Sequence, residues 1–258
     1  MDSIIFTQVD NLAIVKLNRP KSYNSFNREM ALRLQDVLKK CAQDEGIRAV
    51  LLTGEGRAFC AGQDLKEIVD PNGPPLSAIL SEHYNPLVRQ LRALAKPVVA
   101  AVNGVAAGAG ANLALACDVV VATQSASFIQ AFSKIGLIPD SGGTFFLPRL
   151  IGFQKASALM MLGDKVSAEE AEQMGMIYKV FEDEVFGESS LKLAQKLANM
   201  PTKGLAMTKH ALNQSFGNTL DEQLDLEGDL QPKAGETDDY KEGVAAFLEK
   251  RKPIFKGQ

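Results

Sequence analysis

The chain reads as an α/β protein, and three observations predict it. Short apolar runs rich in β-branched residues recur through the first two hundred positions, at 12–17, 49–54 and 97–102, each too short to be a helix. Stretches with apolar residues at helical spacing lie between them. After Pro201 the strand signals stop and only helical patterns continue. Strands and helices in that rhythm form a sheet buried by its crossover helices.

Taken in order, Ile4-Ile5-Phe6 and the run 12–17 are strands, and Asp10-Asn11 between them signals a hairpin turn. Residues 26–43 place Met30, Leu32, Leu34, Val37, Leu38 and Cys41 mostly at helical spacing, which predicts an amphipathic helix. A strand over 49–54 stops at Gly54-Glu55-Gly56, and a helix occupies about 78–95. A strand follows at 97–102, then a helix, then a strand at 118–122. Ser167, followed by acidic residues, opens a helix that ends before Gly175. Residues 203–215, 219–230 and 238–251 are helical, so the chain divides into a core over 1–200 and a helical region over 201–258.

Composition excludes several functions. Lys and Arg number 28 against 31 Asp and Glu, a balance that leaves no basic stripe for nucleic acid. Three cysteines, Cys41, Cys60 and Cys117, have neither pairing nor metal spacing, so neither a disulfide framework nor a zinc site is expected. The stretch 98–122 is apolar, but Asn103, Asn112 and Asp118 would be too costly in lipid, so it reads as buried core. The first residues lack the pattern of a signal peptide, and a reducing, cytoplasmic setting is the expectation. His83 and His210 are the only histidines, too few for a His-based triad or metal site, and His210 reads as a surface residue.

Three glycine-bearing segments can carry chemistry: 57–66, 103–113 and 136–144. Small residues after a strand let backbone N–H groups approach a ligand, although the same glycines also serve turns and close packing. None is a phosphate loop or a dinucleotide fingerprint.

In their order and spacing these segments resemble the crotonase (enoyl-CoA hydratase/isomerase) superfamily. The likeness rests on Leu17-Asn18-Arg19-Pro20 with Asn24-Ser25-Phe26, on Phe59–Leu65, and on Lys96-Pro97-Val98 leading to Asn103-Gly104 and the Gly108–Gly110 turn. It continues through Cys117-Asp118, Ile138-Pro139 with Gly142-Gly143-Thr144, Ala168–Ala171, and the tail from Phe247 to Phe255. The resemblance implies a spiral of repeated ββα units with C-terminal helices that trimerise, giving a homotrimer or a dimer of trimers. It implies an acyl-CoA thioester as substrate, with no metal and no cofactor beyond the CoA that the substrate carries. It also implies an oxyanion hole of two backbone N–H groups, at Gln63 and Ala109, which would stabilise an enolate.

Within the family, the hydratases carry two glutamates that position water. Asn112 and Phe132 stand at those places here, and neither can supply a proton at neutral pH. An acid stands instead at Asp140, directly after Ile138-Pro139. It is either a base that carries a proton between carbons of the thioester or merely the cap of a helix beginning near Ser141. As a base it would be desolvated by Phe132, Leu137 and Ile138.

The runs 82–89, 103–111 and 131–140 look most like the members that rearrange ring-epoxidised arylacetyl-CoA and shift a double bond from β,γ to α,β. Tyr84 and Phe132 would suit an aromatic acyl group, or are simply core. Ala61, Asp64, Leu65 and Lys66 border the first oxyanion donor, with Asp64 more a loop-fixing acceptor than a catalyst. Lys66, Lys250, Arg251, Lys252 and Lys256 are either contacts for CoA phosphates or a solvated face, and the resemblance favours Lys252 and Lys256, reaching from another subunit. Two rival readings are a hydratase with an unorthodox acid and a noncatalytic CoA-binding protein.

Overall fold

The structure, a computed structural model, describes residues 2–258. The expected hairpin forms from β1 (Ile4–Val9) and β2 (Leu12–Leu17). Asp10 takes up the left-handed conformation that such a turn needs, with φ 51°. Helix α1 (Arg28–Gln43) starts two residues later than its apolar pattern suggests, because Asn27 caps it by accepting from the Met30 amide. Phe26 is therefore outside the helix and pairs with Gln63 in a short parallel bridge.

The core is a spiral in which each turn gives one strand to each of two sheets. The first turn is β3 (Ala49–Gly54) and β4 (Ala58–Cys60), followed by the short helices α2 (Leu65–Val69) and α3 (Leu76–Ala78). A π-helical segment at Ile79–Tyr84 then runs into α4 (Asn85–Ala93). The second turn is β5 (Val98–Val102), β6 (Val105–Ala107) and α5 (Ala109–Leu115). The third is β7 (Val119–Thr123) and β8 (Ser127–Ile129), then a 3-10 turn at Ala131–Ile135, α6 (Gly143–Ile151) and α7 (Phe153–Leu162).

After β9 (Lys165–Ser167), α8 (Ala168–Gln173) opens on a capping box between Ser167 and Glu170. The strand β10 (Lys179–Phe181) and α9 (Phe186–Ala198) close the spiral. The strands order as β1-β2-β3-β5-β7-β10 in one sheet and β4-β6-β8-β9 in the other. This is the ββα spiral that the family resemblance implied.

Helices α10 (Thr202–Ser215), α11 (Leu220–Gly235) and α12 (Asp238–Leu248) follow, with no strand after β10. The stretch 98–122 is almost wholly buried, as its apolar run predicts. All three cysteines are free and buried. None of the described helices is long and apolar enough to cross a membrane.

One polar knot ties α4 and α10 to the core. Asp118, just before β7, accepts from Lys209 Nζ at 2.8 Å, from Arg92 Nη1 at 3.1 Å and from the Val98 amide at 2.8 Å. Lys209 is buried, and burial pulls its ammonium below the ordinary lysine value while Asp118 opposes that shift. Removing one member of such a pair strands the other's charge in a poor dielectric. Asp118→Ala should therefore lower the unfolding free energy by about 3–5 kcal/mol in a urea titration. A loss below about 1 kcal/mol would mean that the ion pair is no more than a surface contact.

Candidate active site

The short sheet determines where chemistry can occur. Strands β4, β6 and β8 are parallel neighbours, so the segments leaving their C-terminal ends emerge side by side. These are Ala61–Asp64, Gly108–Ala109 and Ala131–Phe132. Together with Tyr84, Leu137, Ile138 and Asp140 they line a cavity of about 690 Å³.

Two backbone amides on this wall are free. Gly62 O accepts from Phe26 N at 2.7 Å, and Asp64 N donates to Phe26 O at 2.8 Å. A trans peptide points its C=O and N–H in opposite directions, so the Gln63 N–H faces away from Phe26. Gly108 O accepts from Asn112 N at 3.1 Å, which by the same geometry turns the Ala109 N–H out of the start of α5. Neither N–H has a hydrogen-bond partner among the described residues. The two loops are in contact, because a Cβ built on Gly62 would lie 3.5 Å from Ala109 N. Two unpartnered donors beside a cavity are the arrangement that stabilises a developing oxyanion.

Asp140 lies on the same cavity. Burial raises its carboxyl above the ordinary aspartate value, and a hydrogen bond from Ser141 Oγ to Oδ1 at 2.8 Å partly opposes the rise. It is not a helix cap: α6 starts at Gly143, its N-cap is Gly142 at φ 78°, and no side chain accepts there. The expected source of its desolvation needs correction. Ile138 is 81% exposed and Leu137 37%, so although both border the cavity they shield little, and only Phe132 of the three is buried. The turn itself is strained, with non-glycine Ser141 at φ 53° and nearly inaccessible. Because the Ser141 hydroxyl stabilises the ionised carboxylate, Ser141→Ala should raise the Asp140 pKa further. The acidic limb of the kcat/KM–pH profile then moves to higher pH; an unmoved limb would show that Asp140 does not govern it.

Tyr84 is core and cavity wall at once. It is 1% exposed, packs edge-on to Phe26 with centroids 5.8 Å apart, and donates from its hydroxyl to Gln63 Oε1 at 2.8 Å. Burial first, then the nearby Cys60, Asp140 and Glu67, hold its hydroxyl well above the ordinary tyrosine value, so it stays protonated. Gln63 Nε2 in turn donates to Glu67 Oε2 at 2.8 Å. The Phe132 ring lies against Gly108, where an added Cβ would be 3.8 Å from Cζ.

Two carboxylates border the cavity, and Asp64 is already engaged. It pairs with Arg19 at 2.8 Å and caps α2 through the Lys66 amide, which makes it a loop-fixing acceptor. Ala61 and Leu65 are exposed at the rim. The structure does not bring Lys66, Lys252 or Lys256 to the cavity wall of this chain: Lys66 points to solvent from α2, and the other two lie on the exposed tail after α12. His210 is exposed on α10.

Several residues at the site were not anticipated. Ser141 and the Gln63–Glu67 link had a signal only in their nearness to Asp140 and to the first oxyanion donor. Gln130, which donates from Nε2 to Asn112 Oδ1 at 2.7 Å, had none. Among the described residues, no group of three or more His, Cys, Asp or Glu is placed to hold a metal.

Residues 7–258 match the model of the enoyl-CoA hydratase/isomerase family. The chain is 52% identical to a 1,2-epoxyphenylacetyl-CoA isomerase of Escherichia coli strain K12, with 100% of each chain covered. It is 37% identical to a 2,3-dehydroadipyl-CoA hydratase of the same organism, again over 100% of both. Its fold matches the crystal structure of an enoyl-CoA hydratase from Bacillus anthracis with a TM-score of 0.94, at 33% identity, covering 99% of this chain and 100% of that one.

Proposed function

The chain belongs to the enoyl-CoA hydratase/isomerase family, and on that premise we propose that it is an acyl-CoA isomerase acting on 1,2-epoxyphenylacetyl-CoA and on β,γ-enoyl-CoA thioesters. One observation carries the reading. Of the two carboxylates that border the cavity, Asp140 alone is free of an ion pair, and it shares the cavity with the two unpartnered amides.

For a β,γ-enoyl thioester, the Asp140 carboxylate removes the α-proton. The electron pair of the C–H bond moves into the acyl group, and the resulting enolate oxygen is held by the N–H groups of Gln63 and Ala109. Asp140, now protonated, returns the same proton to the γ-carbon, and the double bond settles at α,β. A raised carboxyl pKa suits a group that must both accept and release a proton near neutrality. The ring epoxide uses the same α-proton loss and the same enolate. Phe132 and Tyr84 supply an aromatic wall for its acyl group.

Hydration needs a second group to activate water, and the positions that would carry one hold Phe132, an apolar ring, and Asn112, whose amide bonds Asp140 O and Gln130 and is neither acid nor base near neutrality. The reading includes no cofactor beyond the CoA that the substrate carries. It includes a cytoplasmic setting, which the free thiols support. It also includes a homotrimer or dimer of trimers built through residues 201–258, with Lys252 and Lys256 of one copy meeting the CoA phosphates of another. The exposed Phe247, Leu248 and Ile254 support that surface.

Incubation with a β,γ-enoyl-CoA and with crotonyl-CoA tests the proposal. Conversion of the first to the conjugated thioester, without hydration of the second, is the expected result. Hydration of crotonyl-CoA at a comparable rate would favour a hydratase, and inertness toward both would favour a noncatalytic CoA-binding protein.

A further inference from the structure

Asn112 lies in the first turn of α5 and is wholly buried. Its Nδ2 donates to the main-chain carbonyl of Asp140 at 2.9 Å, and its Oδ1 accepts from Gln130 Nε2 at 2.7 Å. The packing around the amide is tight enough that a Cβ on Gly143 would collide with it. The Asp140 carbonyl takes a second bond from Gly143 N at 2.8 Å. Asp140 thus has its backbone fixed by Asn112 and its carboxylate fixed by Ser141.

The orientation of this amide is forced. A carbonyl can only be met by a donor, so Nδ2 must face Asp140 and Oδ1 must face Gln130. Gln130 must then present its own Nε2, which leaves its Oε1 buried and without a partner. An orphaned buried acceptor is costly, and it persists here because turning the Gln130 amide over would set two oxygens against each other.

We propose that Asn112 is a positioning residue for the isomerase reaction, with Gln130 locking its amide so that the strained turn at Ser141 holds the Asp140 carboxylate over the acyl chain. This rests on Asp140 being the base, as the proposed function has it. Released from Asn112, the turn relaxes and the carboxylate gains water. Its pKa then falls toward the ordinary aspartate value. Three other titratable groups line the cavity with Asp140: Tyr84 on the π-helical segment, which remains protonated, Asp64, which is paired with Arg19, and Lys134, which is exposed after β8. Main-chain anchoring acts on the geometry of the reacting group and leaves the thioester grip alone, so the effect belongs in kcat.

The experiment compares wild type, Asn112→Leu, Gln130→Leu, Asp140→Asn and the double variant Asn112→Leu/Asp140→Asn. It measures turnover of a β,γ-enoyl-CoA, affinity for a saturated acyl-CoA, and the pH profile of kcat/KM. Asn112→Leu should lose about 30-fold or more in kcat, keep acyl-CoA affinity within about threefold, and move the acidic limb to lower pH. Gln130→Leu, one bond further away, should show the same pattern at about a fifth of the size, and it decides the matter if Asn112→Leu does not fold. The double variant should be no slower than Asp140→Asn, because both changes act through one carboxylate.

Losses that multiply in the double variant, an unmoved pH limb, or Asn112→Leu turnover within threefold of wild type would each overturn the positioning role. If Asp140→Asn itself turns over like wild type, the proposed base is wrong and the positioning role falls with it. If Asp140→Asn is dead while Asn112→Leu is not, only the positioning role fails.

Discussion

Asp140→Asn should lower kcat for double-bond migration by about 10³-fold, or about 4 kcal/mol of barrier, while acyl-CoA affinity stays near that of wild type. The replacement has nearly the same shape and keeps the main-chain bonds to Asn112 and Gly143, so the turn before α6 should persist. What disappears is the lone pair that takes the proton, since an amide is neither a base nor an acid near neutrality. The other carboxylate on the cavity, Asp64, is paired with Arg19, and Tyr84 is held protonated. Stopped-flow absorbance at the conjugated thioester band gives the rate, and titration with a saturated acyl-CoA gives the affinity. Turnover within tenfold of wild type would remove Asp140 from the proton path.

Gly62→Ala is the second large effect, expected to cost about 10²–10³ in kcat. Gly62 sits at φ 90°, which an L-residue with a side chain seldom adopts. Its new methyl would lie 2.9 Å from Ala107 O and 3.5 Å from Ala109 N, between the two loops that carry the oxyanion donors. The backbone must yield, and the Gln63 and Ala109 amides part. Because those donors are main-chain atoms, moving the backbone is the direct way to remove them. An acyl-CoA that binds ordinarily but is turned over slowly would be the signature; unchanged kcat would show that the thioester oxygen is held elsewhere.

The long strands and amphipathic helices were legible in the chain because they carry enough residues to show a period. Strands β4, β6, β8, β9 and β10 were not, since three residues cannot display alternation. Only the start of α6, near Ser141, was legible, because Pro148 interrupts its body, and α9 lacks a capping side chain at Val185 to mark its start. The expected single helix near 78–95 opens as a π-helical segment, a distinction that residue types do not encode.

At the site, Gln63 and Ala109 were legible only through the family resemblance, since the glycines beside them suit turns and close packing equally well, and Asp140 was legible as an acid directly after Ile138-Pro139. The shielding expected of Leu137 and Ile138 is small because nearness in sequence does not say how much of a loop the fold covers. The bond from Gln130 to Asn112 joins residues 18 positions apart, and only the folded arrangement of β8 beside β6 brings them together.

The unoccupied amides at positions 63 and 109 belong to peptide units, and a peptide unit survives every replacement except proline. On the proposed reading, lineages descending from one ancestor can therefore exchange the side chains at 63 and 109 and keep hold of the thioester, provided that Gly62 and Gly108 keep the backbone in place. A hydratase and an isomerase then differ in a few interchangeable tools mounted on an unaltered handle, so a new reaction can arise by substituting one or two acids while recognition of the CoA ester passes on intact.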